Sequence, residues 1–387
     1  MIVWVMGRKR RFLFILLAIG LLATAVASAQ PVGASAGAQN SNVEVIATGL
    51  RNPRGMDFGP DGALYVAQAG RGGRDPCILT SAGAMECLGS NGAILRIEPG
   101  SKEQVVSGLP SIAAHELSGD NAIGPSNISF DGNDAYFTTG LAADPALRAD
   151  LGQKGSHMGK LFRLPTPGGR PAAVADFVPF EATVNPDGGL PDTNPNGVVA
   201  LPGRQIVADA GGNSVLEVGP NGEISTLAVL PEGMAPAPPF LGLPPGTMIP
   251  FQPVPTSVDI GPDGYIYVGQ LTGFPFPVGG ASVWRIPPNG GTPEVFTSGF
   301  TTIMDIEFAD DGSLYVLQIS TDSLFIAPPS PGALIRVAPD GTRTTVAMEE
   351  LSFPGGLAIG PDGDLYVSNR GTSASGGQVL RIGAPNG

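Results

Sequence analysis

The chain has 387 residues, a formal net charge of −13 at pH 7, 14% charged residues, 57 glycines and 39 prolines. That negative balance argues against nucleic acid and anionic membrane surfaces as partners. Glycine and proline at this density supply turns between short strands rather than long helices.

Residues 1–29 read as an export signal. Arg8, Lys9, Arg10 and Arg11 form a basic start, Phe12 to Val26 an apolar stretch, and Ala27-Ser28-Ala29 a small-x-small cleavage pattern. Cleavage after Ala29 is expected, an uncleaved anchor being the alternative, because ~15 apolar residues fall short of the ~20 that span a bilayer. The signal holds four basic residues and no acidic one, so the remainder is still more acidic than the whole chain. A secreted or extracytoplasmic location follows, with no membrane contact beyond the signal. Residues 30–42, rich in Ala, Gly, Ser, Asn and Gln, read as a flexible linker.

From residue 43 onward one phrase recurs six times: an apolar-alternating strand, a Gly-Pro-Asp-Gly-like turn and a returning apolar-aromatic strand. The clear copies are 55–66, 257–268, 305–316 and 356–367, with degraded ones at 127–138 and 196–207. An arginine-bearing or related strand follows each, and Arg96, Arg163, Arg285, Arg336 and Arg381 are expected to pack or pair between repeats. Six repeats of about 40–50 residues made of strands and turns predict an all-β, six-bladed β-propeller over 43–387. The VEVIAT stretch at 43–48 matches the outer-strand segments, while the chain stops after a third strand. It is therefore expected to close the last blade, where an unpaired edge would otherwise remain.

The turn aspartates have a structural explanation, since Asp-Gly in a tight hairpin needs no ligand. Cys77 and Cys87 have nine residues between them in one insertion and are expected to form a local disulfide in an oxidising compartment.

In an up-and-down blade the short turns share one face, and the long segments 68–92, 109–126, 139–159, 179–196, 230–256, 270–281 and 318–331 share the other. Long loops in an otherwise economical fold build binding surfaces. Aligning the copies predicts two rings beneath them: Gly55, Asn127, Asn196, Ser257, Asp305 and Gly356 at the start of the inner strand, and Gln68, Gly140, Asp209, Gln270, Gln318 and Asn369 at the end of the second. Such amides and carboxylates suit a hard cation such as Ca²⁺, a hydroxyl-rich small molecule, or an ordered water column. The proline-rich 231–255, with Phe240, Leu241, Met248, Ile249 and Phe251, and the apolar 272–280 are read as an apolar rim or as loops packing on each other. The two histidines, His115 and His157, fall in long loops. No GxSxG, HExxH or P-loop pattern is present, so a serine, zinc or nucleotide mechanism has no support.

The segments ATGLRNPRGMDFGPDGALYVAQAGRGG, IGPSNISFDGNDAYFTTGL, VADAGGNSVLEV, VPTSVDIGPDGYIYVGQLTGFPFPVGGASVWRI and PGGLAIGPDGDLYVSNRGT resemble the ScyD/ScyE family of exported propellers over about 43–382. The resemblance implies an extracytoplasmic propeller and carries no reaction. More distantly the blades look like NHL repeats and gluconolactonase-like propellers, whose calcium lactonases hold a metal on a Glu, two Asn and an Asp. By that resemblance Asn127, Asn196 and Asp305 take the Asn and Asp parts, while Gly55 stands where the Glu is expected.

The reading that follows is a non-catalytic, monomeric propeller that binds a small molecule, glycan or protein partner on its long-loop face, with no certain cofactor. The alternative is a Ca²⁺-dependent lactonase or esterase at the channel mouth.

Overall fold

The computed structural model describes residues 43–114, 118–166 and 168–384. His115 and the signal and linker lie outside them. The chain forms six antiparallel sheets in a ring, a six-bladed β-propeller. The fourth blade shows the plain pattern: Pro255–Ile260 innermost, then Ile266–Gln270, Ala281–Ile286 and Glu294–Phe300 outermost. The last blade takes three strands, Gly356–Ile359, Leu365–Asn369 and Gly377–Ile382, from the C-terminal end. Its outermost strand is Val43–Leu50, paired antiparallel from Val43 with Ile382 to Leu50 with Gly377. The ring is thus closed by hydrogen bonding between the two ends of the described chain, which leaves no open edge there.

Alternation along the strands sends apolar side chains to both faces of each sheet, so the core is divided among the blade junctions. Tyr65, Ile94, Phe137 and Phe162 pack between blades one and two, and Leu161, Val198 and Val207 between two and three. Ile206, Val258 and Val268 fill the next junction, and Tyr267, Val283, Ile306 and Val316 the one after. Leu317, Leu357 and Val367 join blades five and six, while Leu50, Met56, Val66 and Val379 join six to one.

The third-strand arginines do not pair between blades. Each reaches the turn carboxylate of its own blade: Arg96 to Asp61 at 2.7 Å, Arg163 to Asp134, Arg285 to Asp263, Arg336 to Asp311 and Arg381 to Asp362. The hairpin turn and the third strand lie on neighbouring strands of one sheet, which makes the partner within the blade the nearer one. In the third blade the charges are swapped, Arg204 at the hairpin meeting Glu217 at the arginine position. Against their partial burial, Asp61 is pulled below the usual carboxylate range chiefly by Arg96, and Asp263 and Asp311 first by turn amides (of Tyr265 and Ser313) with Tyr267 and the arginines adding, as fits a structural role for the turn aspartates.

Candidate functional site

Every inner strand but the last begins with the same irregularity. Pro53 opposes Gln68 but Met56 opposes Val66, one residue out of step, and the offset recurs at Pro125/Ile128, Pro195/Gly197, Pro255/Ser257 and Ile303/Asp305. This bulge fixes which residues are equivalent around the axis. The inner ring is Gly55, Asn127, Gly197, Ser257, Asp305 and Gly356, and the second-strand ring is Gln68, Thr139, Asp209, Gln270, Gln318 and Asn369. Asn196 is therefore displaced by one residue, toward the long-loop face, and falls level with Arg54, Ser126 and Thr256; Gly140 lies one beyond its ring. The cause is hairpin length. Phe58 pairs with Leu64 across five residues, but Phe130 pairs with Ala135 and Ala200 with Gln205 across four, so an ungapped alignment slips by one in these two copies.

Most of the side-chain oxygens of these rings already accept hydrogen bonds, chiefly from backbone groups. Gln68 Oε1 accepts from the N–H of Arg51 (2.9 Å), Gln318 Oε1 from Thr301 and Asn369 Oδ1 from Ser352 (2.7 Å), each donor lying in the segment that leads into an inner strand. Gln270 Oε1 takes the N–H of Ser282 and the Trp284 indole. Asp209 accepts from the N–H groups of Asn194, Gly211 and Gly212 and from the Thr193 hydroxyl. Asn196 Oδ1 accepts from the Ser126 hydroxyl at 2.6 Å, and Asn127 Oδ1 from the N–H of Ile128. Ser257 Oγ is buried with no protein partner.

Asp305 follows a rule that two further carboxylates share. One oxygen accepts the N–H of the next residue in its own strand, Ile306, and the other accepts the equivalent N–H of the next blade, Leu357, both at 2.9 Å. One level deeper Asp57 binds Phe58 and Phe130, Asp259 binds Ile260 and Phe308, and the Ser129 hydroxyl accepts from Ala200. The inner strands carry N–H groups that need acceptors at the channel, and a short acidic side chain from the preceding blade supplies one. Glu307 stands level with Asp57 and Asp259, and its longer side chain makes no hydrogen bond of this kind.

Burial in the channel raises the pKa values of all these acids, and their mutual repulsion around the axis adds to it for Asp57, Asp305 and Glu307. Burial, only partly offset by the amide hydrogen bonds, lifts Asp57 and Asp305 to about 7. Glu307 is pushed well above the carboxylate range by burial and by the charges of Asp259, Asp57 and Asp305. Sequence reading missed Asp57, Asp259 and Glu307. Their signal was the acidic residue two positions before the turn in copies one, four and five, with serine in copy two. Among the described residues no three His, Cys, Asp or Glu side chains converge closely enough to hold a metal ion. Asn127, Asn196 and Asp305 are likewise divided between two levels, with their oxygens committed to hydrogen bonds.

Above the rings, the two sides of the long-loop face differ in kind. Over blades one to three the loops bury a satellite core of Ile78, Leu88, Ile112, Leu141, Leu151, Met158 and Val178. The Cys77–Cys87 disulfide staples the insertion of blade one to itself, and a bridge between Ala143 and Thr193 ties two neighbouring loops together. Exposed His157 lies against the Phe162 ring. Arg54, at the mouth, donates to the Ala122 carbonyl; burial lowers its pKa to about 10, and lifts that of nearby Glu86 to about 7.

Over blades four and five the loops bury Ala235 and Phe251 but leave several large apolar side chains outside. Phe240 from 231–255, Phe274 and Phe276 from 271–281, and Phe325 from 319–332 meet in one cluster. Ring centroids lie 5.3 Å apart for Phe274–Phe325 and Phe276–Phe325, and 6.0 Å for Phe240–Phe325. Phe240 remains 63% exposed and Phe325 46%, alongside exposed Leu241, Leu243, Met248, Val278 and Ile326. The three segments together carry only two charged side chains, Glu232 and Asp322.

No family model and no curated protein matches the chain. Solved structures do. A Bacteroides thetaiotaomicron protein of unknown function aligns at 11% identity over 89% of this chain and 76% of its own, with a TM-score of 0.55. A luciferin-regenerating enzyme aligns at 9% identity over 90% of this chain and 98% of its own, with a TM-score of 0.51. The neighbours are six-bladed propellers of the NHL and gluconolactonase-like kind, and at such identities the likeness is one of fold.

Proposed function

We propose that the protein is an exported, ScyD/ScyE-like binding propeller whose long-loop face over blades four and five takes a small molecule with a flat apolar ring face. The observation that carries this reading is the four-phenylalanine cluster. Three separate loops bring aromatic rings into mutual contact, yet leave Phe240 and Phe325 open to water and Phe274 and Phe276 half-buried, where they forfeit part of the stabilisation that burial would return. The loops over blades one to three, of similar length, bury a satellite core and leave Leu79, Met85, Val184 and Leu190 exposed, but among the described residues they expose no phenylalanine, so the open aromatic cluster is a property of this sector and not of long loops in general. Rings already held by their neighbours lose little conformational freedom when a ligand covers them, and a nearly uncharged rim imposes little desolvation cost. No observation favours the lactonase alternative, whose expected oxygens on Asn127, Asn196 and Asp305 already accept hydrogen bonds from backbone amides or the Ser126 hydroxyl.

The test is a thermal-shift screen of aromatic and saccharide compounds, repeated on Phe240→Ser/Phe325→Ser. Both side chains are substantially exposed, so the variant should keep its own melting temperature within a few degrees and lose the ligand-dependent rise. Hits that persist unchanged in the variant would exclude this sector as the site.

A further inference from the structure

A second oxygen-rich site lies on the third blade, away from both the axial acids and the aromatic sector. The short helix Phe177–Val184 places Glu181 against the turn Ala210–Asn213, which links the second and third strands of that blade. The turn carries two consecutive glycines. A methyl group at Gly212 would lie 3.1 Å from Glu181 Oε2, 3.4 Å from Ser214 Oγ and 3.5 Å from the Asp192 carbonyl oxygen; one at Gly211 would lie 2.9 Å from Asp192 Oδ1. The space that Gly212 keeps open is lined by oxygen atoms, and beside it Gly211 leaves room for the Asp192 carboxylate next to the Asn194 amide, whose N–H is already given to Asp209.

Two of those oxygens are buried without a protein partner. Ser214 is 1% exposed and its hydroxyl makes no hydrogen bond; Asp192 Oδ1 makes none either. Glu181, 2% exposed, accepts only a long contact to Oε1 from the Asp192 N–H at 3.4 Å. Buried polar atoms are nearly always paired, so these point to a bound species that supplies the missing interactions. Its charge follows from its surroundings. The side chains acting electrostatically on Glu181 are Asp209, Asp187 and Asp192, all acidic; burial, with repulsion added, lifts Glu181 and Asp192 to about 7, a hydrogen bond between Ser81 and the Asp192 carboxylate offsetting only part of it. Asp209 is excluded as a ligand, since its oxygens are filled by the turn amides, and Asp187 is held by Asn213 and Gly189.

We infer that this pocket binds a divalent, oxygen-seeking cation of the Ca²⁺ type, with Glu181 Oε2, Asp192 Oδ1, Ser214 Oγ and the Asp192 carbonyl as protein ligands and water completing the shell. Two carboxylates with neutral oxygens form a low-charge, irregular site. That favours Ca²⁺, which accepts 6–8 oxygens in flexible geometry, over Mg²⁺, which demands a near-octahedral set. The low ligand charge also sets the affinity in the extracellular range, with Kd on the order of 10⁻⁴–10⁻³ M. The bound ion would tie the loop 185–193 to the blade beneath it. The inference stands apart from the aromatic sector and survives or fails without it.

Calorimetric titration of chelator-treated protein with CaCl2 tests it. Saturable binding in that range is expected, weakened ~tenfold or more in Glu181→Gln and in Ser214→Ala, unchanged in Asp305→Asn, and weaker for MgCl2. Absence of binding by the wild type would overturn the site, as would binding that survives both substitutions or is lost only in Asp305→Asn. If Glu181→Gln does not fold, Ca²⁺-dependent slowing of amide hydrogen exchange at Gly211–Ser214 in the wild type decides the matter, and no slowing refutes it.

Discussion

Neutralising Asp57 should flatten the dependence of stability on pH. In the folded protein this carboxyl is held at about 7, against an ordinary 3.8, mainly by burial in the channel. A group whose folded pKa exceeds its unfolded one is stabilising below the unfolded value, and that stabilisation is lost as pH rises through the folded value. The window is therefore about pH 4–7, and stability falls as pH rises across it. At ~1.4 kcal/mol per tenfold change in proton affinity, the full difference sets a ceiling of ~4 kcal/mol for this one group. Channel water and sharing of protons with Asp259 and Glu307 reduce it, and ~2 kcal/mol is the working figure. Wild-type protein should lose melting temperature from pH 5 to pH 8, with Asp57, Asp305 and Glu86 all contributing in that direction. Asp57→Asn has no proton to lose, so its curve should be shallower by ~4–8 °C, taking ~2–4 °C per kcal/mol. Its single acceptor oxygen cannot serve both Phe58 and Phe130, which costs ~1 kcal/mol and places the variant below wild type at pH 5. Circular-dichroism melts at five or six pH values read both curves. Equal slopes for the two proteins, or a wild-type melting temperature that is flat or rising from pH 5 to pH 8, would refute the reasoning.

Two further outcomes follow from the junction that closes the ring. Leu50 is fully buried where the closing strand packs over blades six and one, so Leu50→Ala should cost ~2–5 kcal/mol in urea unfolding, and a cost under 1 kcal/mol would show that the strand is dispensable. Gly356 lies against the first blade so closely that a methyl group there would come within 2.6 Å of the Gly55 Cα and 2.7 Å of the Arg54 carbonyl oxygen. Neither atom is at the end of a side chain that can turn away, so Gly356→Ala should cost ~1–3 kcal/mol, measurable in the same titration.

The architecture is legible in the local pattern of the chain. Apolar alternation and Gly-Pro-Asp-Gly turns are local signals, and six copies of them define the blades, the side of the ring that carries the long loops, and the role of Val43–Leu50 as the missing last strand. The turn aspartates were legible for the same reason, because their work is done within a hairpin. The site was less legible. Asn196 and Gly140 were placed one residue away from their rings because a hairpin shorter by one residue is invisible until its strands pair. That Gln68, Asp209, Gln318 and Asn369 bind backbone amides, and that Asp57, Asp259 and Asp305 reach across to the next blade, depends on partners brought close only by the fold. The same holds for Glu181, Asp192 and Ser214, which lie in separate segments and meet only at the Gly211–Gly212 turn. A side chain's type is written in the chain, but whether its oxygen is free or already bonded is decided by neighbours far away in sequence, and only tertiary structure chooses those.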